Sequence, residues 1–153
     1  MKLVVEGAPL RGAVEIPGSK SHTIRAVAIA ALASGESLIE KPLLSEDARS
    51  AFRAFRAFGA EIREESDAWR VTGTNGQPTA PDNVIDVANS GTTMRIALGS
   101  AALVREGITV LTGDDQVRRR PCGPLARALN DLGACVRATR GGGTPPFVVE
   151  GVL

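Results

Sequence analysis

The sequence has 153 residues, 43% of them hydrophobic and 23% charged, which is enough apolar material for a globular core and excludes intrinsic disorder as the resting state. Lys and Arg total 18 against 17 Asp and Glu, a net charge of +1, so no general surface charge selects nucleic acid or a membrane face and any anion binding must be local. Two cysteines, Cys122 and Cys135, stand in no metal-ligand spacing beside a single histidine, which argues against a disulfide framework and against a structural zinc and leaves two plain thiols.

In chain order, the opening "MKLVVEGAPLRGAVEI" is broken by Glu6, Pro9, Arg11 and Glu15, so it has no signal-peptide core, and no uninterrupted apolar run suits a membrane span. A cytoplasmic protein is expected. "PGSKSHTIR" at 17–25 then crowds Pro, Gly, two Ser, Lys and Arg before a run, 23–34, that is apolar almost all round and predicts a helix buried on most faces. After a short strand "SLIE" at 37–40, residues 46–57 place Ala48, Ala51, Phe52 and Phe55 on one stripe with Arg49, Arg53 and Arg56 between them. This is a one-sided amphipathic helix with Ser45 as its N-cap. "AEIR" 60–63, "WRVTG" 69–73 and "VIDVA" 84–88 read as strands. A second apolar helix is expected over 93–104, a strand at "ITVLTG" 108–113, and a second amphipathic helix over 121–132. In that helix Pro121 suits the first turn and Leu125, Ala128, Leu129 and Leu132 make the stripe. "ACVRA" 134–138 and "FVVEG" 147–151 close the series as strands, joined through a flexible Gly141–Gly143 and Pro145–Pro146 connection that lacks the Lys/Ser and the helix of a nucleotide loop. Trp69 and the phenylalanines are expected in the core.

The two halves resemble each other. "AALASGESLIE" matches "AALVREGITVL" through Gly35 and Gly107, and "FRAFGAEI" matches "LNDLGACV" through Gly59 and Gly133. The chain therefore reads as two copies of one unit: turn, buried helix, strand, amphipathic helix, strand, hairpin, strand. Repeats of this kind share a core that none can bury alone, and two copies are not expected to cover helices that are apolar all round.

Register on Gly35 and Gly107 lays "GSKS" 18–21 over "SGTT" 90–93, so each copy carries a Gly/Ser/Thr turn at a helix start. Free N–H groups and the positive end of the helix dipole make such a start an anion site. Lys20, Ser21 and Arg25 add charge and donors at the first; Asn89, Ser90, Gly91 and Thr92 give close backbone approach and neutral donors at the second. "RRRP" 118–121 puts Arg120 before a third helix start, and Arg suits bidentate capture of carboxylate or phosphate. Each feature also has a plain reading: a Ser/Thr/Asn turn serves as a cap, an Arg run as solvated surface, Asp114–Asp115 and Glu46–Asp47 as turn and capping residues, and His22 as a neighbour rather than a catalyst.

"PGSKSHTIRAVAIAALASG", "NSGTTMR", "LTGDDQVRRRP" and "LARALNDLGACV" together resemble the amino-terminal part of the 5-enolpyruvylshikimate-3-phosphate synthase family over essentially the whole chain. The resemblance implies an α/β (α+β) fold of repeated βαβαββ units around buried parallel helices, the enolpyruvyl transferase-like inside-out barrel, with two of one domain's three repeats present. It implies an amino-terminal strand segment at 1–17 belonging to the other domain, repeats at 18–80 and 81–153, and the remainder absent. The implied reaction is transfer of the enolpyruvyl group of phosphoenolpyruvate to shikimate 3-phosphate with release of phosphate, in aromatic amino-acid biosynthesis, the reaction that glyphosate inhibits. Lys20, Ser21 and Arg25 match shikimate 3-phosphate positions; Lys20, Asn89, Gly91, Thr92 and Arg120 match phosphoenolpyruvate positions. Catalytic acid and base are expected beyond Leu153, so this chain alone is expected to be inactive. No metal or cofactor is implied. The expected partners are phosphorylated small molecules, not nucleic acid or membrane, with self-association or pairing with the missing carboxy-terminal part. Ile96 stands where many relatives carry proline. The related sugar-nucleotide enolpyruvyl transferase is the weaker match, because it lacks the "PGSKS" form and carries a reactive cysteine where this chain has Asp115. The alternative is a non-catalytic phospholigand-binding or scaffold fragment.

Overall fold

A computed structural model describes residues 2–7, 9 and 11–151. The chain enters as extended coil and then folds as α1 (Lys20–Leu32), β1 (Glu36–Glu40), α2 (Glu46–Ala57), β2 (Glu61–Glu64) and β3 (Ala68–Thr72), followed by β4 (Ile85–Asp86), α3 (Gly91–Ala101), β5 (Ile108–Thr112), a 3-10 turn (Val117–Arg119), α4 (Gly123–Asp131), β6 (Cys135–Ala138) and β7 (Phe147–Glu150). The first sheet runs β1-β3-β2, wholly antiparallel. The second runs β4-β5-β7-β6, antiparallel except that β4 lies parallel to β5.

Each sheet turns one face to its helices. On β3 the alternation puts Trp69 and Val71 inward and fully buried, and on β7 it does the same for Phe147 and Val149. Helix α1 packs on β1 and β3, and α3 packs on β5 and β7. The repeats meet where α2 touches α3 and β4 and where α1 touches α3, so one continuous apolar core runs through both. The close fit depends on two equivalent glycines. A Cβ on Gly73 would lie 2.2 Å from the Ala33 carbonyl oxygen at the end of α1, and one on Gly151 would lie 2.6 Å from the Ala102 oxygen at the end of α3. Only glycine lets the strand exit run against the helix end.

Helix caps follow their chemistry. Ser45 Oγ accepts from Ala48 N at 3.3 Å, with Glu46 and Asp47 in the first turn and Arg56 in the last, as the dipole favours. Three expectations shift. The stripe of α4 is Cys122, Ala126 and Leu129, while Ala128 is exposed and Leu132 is 68% exposed. The reason is a clamp: Asn130 donates from Nδ2 to the Val136 oxygen at 3.1 Å and accepts the Val136 N–H at 2.6 Å, which fixes the roll of α4 on β6. Pro121 lies before the cap, and Pro124 occupies the first turn instead. "VIDVA" keeps only two ladder residues, because Ala88 turns left-handed (φ 48°) with its N–H held by Asp86 Oδ1 at 2.8 Å. Among the described residues, no helix is long and apolar enough to cross a membrane, and both cysteines are free.

Candidate anion-binding site

The two helix starts are built alike from their caps. Ser19 Oγ accepts from His22 N at 3.4 Å at the start of α1, and Ser90 Oγ accepts from Thr93 N at 3.3 Å at the start of α3. The structural register thus lays Ser19 over Ser90 and Lys20 over Gly91, one residue from the register read through Gly35 and Gly107. Helix α3 is two residues shorter than α1 and the connection that follows it is three residues longer, which leaves a net offset of one residue between the two strands.

At the start of α1, Lys20 Nζ pairs with Asp47 at 3.0 Å, with half of the lysine side chain exposed. Arg25 Nη1 donates to the Ser21 oxygen at 3.1 Å and otherwise faces solvent. Asp47 also links the two helix starts: its backbone oxygen accepts from Thr93 Oγ1 at 3.5 Å while its carboxylate holds Lys20.

At the start of α3, Asn89, Gly91 and Arg120 come together. Arg120 Nη2 donates to Asn89 Oδ1 at 3.4 Å. Its Nη1 lies 2.7 Å from where a Gly91 Cβ would stand, so the guanidinium rests over the first residue of the helix. Arg120 is delivered there by the 3-10 turn, whose end is closed by Arg120 N–H to the Val117 oxygen at 2.9 Å. A cationic guanidinium beside a helix N-terminus is the chemistry that receives a phosphate or carboxylate, and the Asn89 amide holds the guanidinium there. Thr92, half-buried, sits beside Gly91 in the first turn.

Three residues that sequence reasoning left aside belong to this structure. Asp47 pairs with Lys20 as described. Arg95 ties the start of α3 to the loop before α4, donating to the Gly91 oxygen at 3.0 Å and the Pro121 oxygen at 3.2 Å. Asp114 accepts from Val117 N at 2.9 Å and from Asn89 Nδ2 at 2.7 Å. The Val117 N–H, then the Asn89 amide and the Arg120 charge, hold its carboxyl below the usual carboxylate range against the opposing effect of burial. The signal was present in the spelling "TGDDQVRRRP", where an acid three residues before Val117 is placed to cap a turn. Burial disfavours the Cys122 thiolate and pushes the thiol up despite the nearby Arg95 charge. Among the described residues no His/Cys/Asp/Glu group could hold a metal. A hollow of about 680 Å³ beside α4, lined by Arg127, Asn130, Arg137 and Gly142, includes none of the residues named above at the starts of α1 and α3, nor Arg120.

An α-β-α-β-β unit (α1 to β3) followed by a β-α-β-α-β-β unit (β4 to β7) defines an α/β protein built from repeated units. The model of the EPSP synthase (3-phosphoshikimate 1-carboxyvinyltransferase) family matches residues 4–153. The chain belongs to the EPSP synthase family. It is 51% identical over its whole length to the 3-phosphoshikimate 1-carboxyvinyltransferase of Acetivibrio thermocellus and 48% identical to that of Methanococcoides burtonii. It spans 36% and 35% of the lengths of those relatives. An EPSP synthase structure from Acinetobacter baumannii superposes with a TM-score of 0.84 over 92% of this chain and 32% of that one, at 31% identity.

Proposed function

We propose that this chain supplies one wall of the substrate site of a 3-phosphoshikimate 1-carboxyvinyltransferase, which moves the enolpyruvyl group of phosphoenolpyruvate onto shikimate 3-phosphate and releases phosphate. The observation that carries the reading is Arg120 lying over the start of α3 beside Asn89 and Gly91. Lys20, Ser21 and Arg25 take the shikimate 3-phosphate side; Lys20, Asn89, Gly91, Thr92 and Arg120 take phosphoenolpyruvate. In the reaction the enol double bond is protonated, a substrate hydroxyl attacks the cationic carbon and gives up its proton, and phosphate leaves as the newly formed methyl group loses a proton and the double bond re-forms. The residues of this chain hold and neutralise the phosphate and carboxylate charges through those steps. Lys20 is shared between the two substrates in this reading.

The acid, the base and the opposing wall are assigned to the remainder of the parent enzyme, so the chain alone binds without turning over. Residues 1–17 belong to the second domain in this reading, and 18–80 and 81–153 are two of three repeats. The exposed apolar residues Val14, Ile16 and Ile29 are then covered by the missing part or by self-association. The parent acts in the cytoplasm on phosphorylated small molecules, without nucleic acid, membrane or metal.

The test is equilibrium binding of phosphoenolpyruvate and shikimate 3-phosphate to the chain and its variants. Arg120→Ala is expected to weaken phosphoenolpyruvate by about 1.5–3 kcal/mol, the value of a hydrogen bond to a charged group; Lys20→Ala is expected to weaken both ligands. Normal phosphoenolpyruvate binding by Arg120→Ala removes that residue from the site. Mixing the chain with a separately expressed remainder of a parent enzyme is expected to give phosphate release. Release by the chain alone, abolished by Lys20→Ala, would place a complete site here.

A further inference from the structure

Asp114 spends both carboxylate oxygens on the phosphoenolpyruvate side of the site. Oδ1 takes the Val117 N–H at 2.9 Å, which caps the 3-10 turn leading to Arg120, and Oδ2 takes Asn89 Nδ2 at 2.7 Å. A carboxylate only accepts, so it fixes which way the Asn89 amide faces: Nδ2 toward Asp114 and Oδ1 toward Arg120. Asn89 Oδ1, at 3.4 Å, is the only hydrogen-bond partner of the Arg120 side chain among the described residues, and the remaining guanidinium donors stay free for a ligand. The Asp114 backbone N–H reaches the Ala88 oxygen at 2.9 Å, so this one residue joins the loop before α3 to the loop after β5 by main chain and side chain together.

We infer that Asp114 is a positioning residue for the phosphate- and carboxylate-binding subsite, setting the Asn89 amide and the turn that places Arg120 over the start of α3. The ligand assignment rests on the reading under Proposed function; the positioning itself does not. Asparagine at 114 offers one acceptor where two donors wait, so either Val117 or Asn89 loses its partner.

The ¹⁵N-labelled chain, its Asp114→Asn, Asp114→Glu and Arg120→Ala variants and the Asp114→Asn/Arg120→Ala double variant decide it. Without ligand, Asp114→Asn is expected to shift the Asn89 side-chain amide resonances and to lower the order of the Arg120 Nε–H, and Asp114→Glu, which keeps both acceptors, to recover part of each. Unchanged Asn89 and Arg120 signals overturn the inference, whatever happens to Tm. With phosphoenolpyruvate as probe, Asp114→Asn is expected to raise Kd about tenfold, the scale of one hydrogen bond to a charged group. In the Arg120→Ala background the same change is expected to add less, because the part of its effect that passes through Arg120 is gone. Equal losses in both backgrounds overturn it. If Asp114→Asn does not fold, Asp114→Glu carries both readouts with a smaller shift in the same direction. If Arg120→Ala leaves phosphoenolpyruvate binding unchanged, the site reading fails, while the ligand-free signals still decide Asp114.

Discussion

The two repeats share a plan and differ at one edge. In the second, β4 lies parallel to β5 and buries Ile85 and Val87. In the first, "AVEIPGS" 13–19 occupies the place of "VIDVANS" 84–90, but it stays coil, with Val14 81% and Ile16 76% exposed. An ion pair from Glu15 to Lys41 at 2.9 Å and the close approach of Gly18 to Lys41 and Leu43 tie it to the residues after β1. Similar apolar alternation thus gives a buried strand in one repeat and an unpaired segment in the other. The difference teaches that alternation makes a strand only where a neighbouring edge and a covering layer exist. Here β4 has β5 beside it and α2 against it.

The comparison is most severely tested by the equivalent aromatic anchors. Trp69 and Phe147, both fully buried on the exit strands β3 and β7, are each expected to cost about 3–5 kcal/mol on truncation to alanine. Trp69 is expected to cost more, because Phe52 meets it edge to face at 5.1 Å. Denaturant midpoints at constant m-value measure both. A loss confined to one variant would mean that the repeats do not share one core.

Next come the equivalent glycines. Gly73→Ala and Gly151→Ala each drive a Cβ into backbone carbonyls that cannot rotate away, and about 1–3 kcal/mol of overpacking is expected. Gly142→Ala, with nothing within 4 Å, is the control and is expected to leave the midpoint unmoved. If Gly151→Ala is as mild as the control, the second repeat does not seal its helix end as the first does.

The caps separate the repeats more finely. Ser90 is fully buried and also shares a 2.7 Å hydrogen bond with the Thr93 hydroxyl, whereas Ser19 is exposed with one long cap bond. Within the usual span of about 0.5–2 kcal/mol for losing a cap, Ser90→Ala is expected near the top and Ser19→Ala near the bottom. Thermal unfolding of the two variants side by side reads the ranking, and equal losses would erase this distinction between the helix starts.

The smallest expected effect is one of pH. The Asp114 carboxyl is held low in the folded chain, chiefly by the Val117 N–H. Its contribution to stability is therefore present above the ordinary carboxylate pKa and is lost as pH falls through the lower folded value. Asp114→Asn removes that part of the acid limb, so the variant's loss of stability relative to the parent should shrink toward acid. A difference that stays constant from neutral to acid pH would exclude ionisation of Asp114 as its source.

Much of this was legible in residues. The apolar spacing of 46–57 marked α2 to the residue, the two Gly/Ser/Thr turns marked both helix starts, and the motif order marked the family. The roll of α4 was not legible, because Leu125, Ala128, Leu129 and Leu132 make as good a stripe on paper as Cys122, Ala126 and Leu129, and the Asn130 clamp on Val136 decides between them. Nor were the partners of Asp47 and Asp114, which look like capping acids until Lys20 and Asn89 are brought to them from distant segments.

By itself the sequence determined the local choices, where helices start and which residues alternate, because caps and periodicity act over a few residues. Tertiary structure alone decided which apolar segment pairs, which face of α4 goes inward and which carboxylate holds which ligand-facing side chain. Those outcomes depend on contacts between residues far apart in the chain, such as Asn89 with Asp114 and Arg120, and no local rule specifies the partner across that distance.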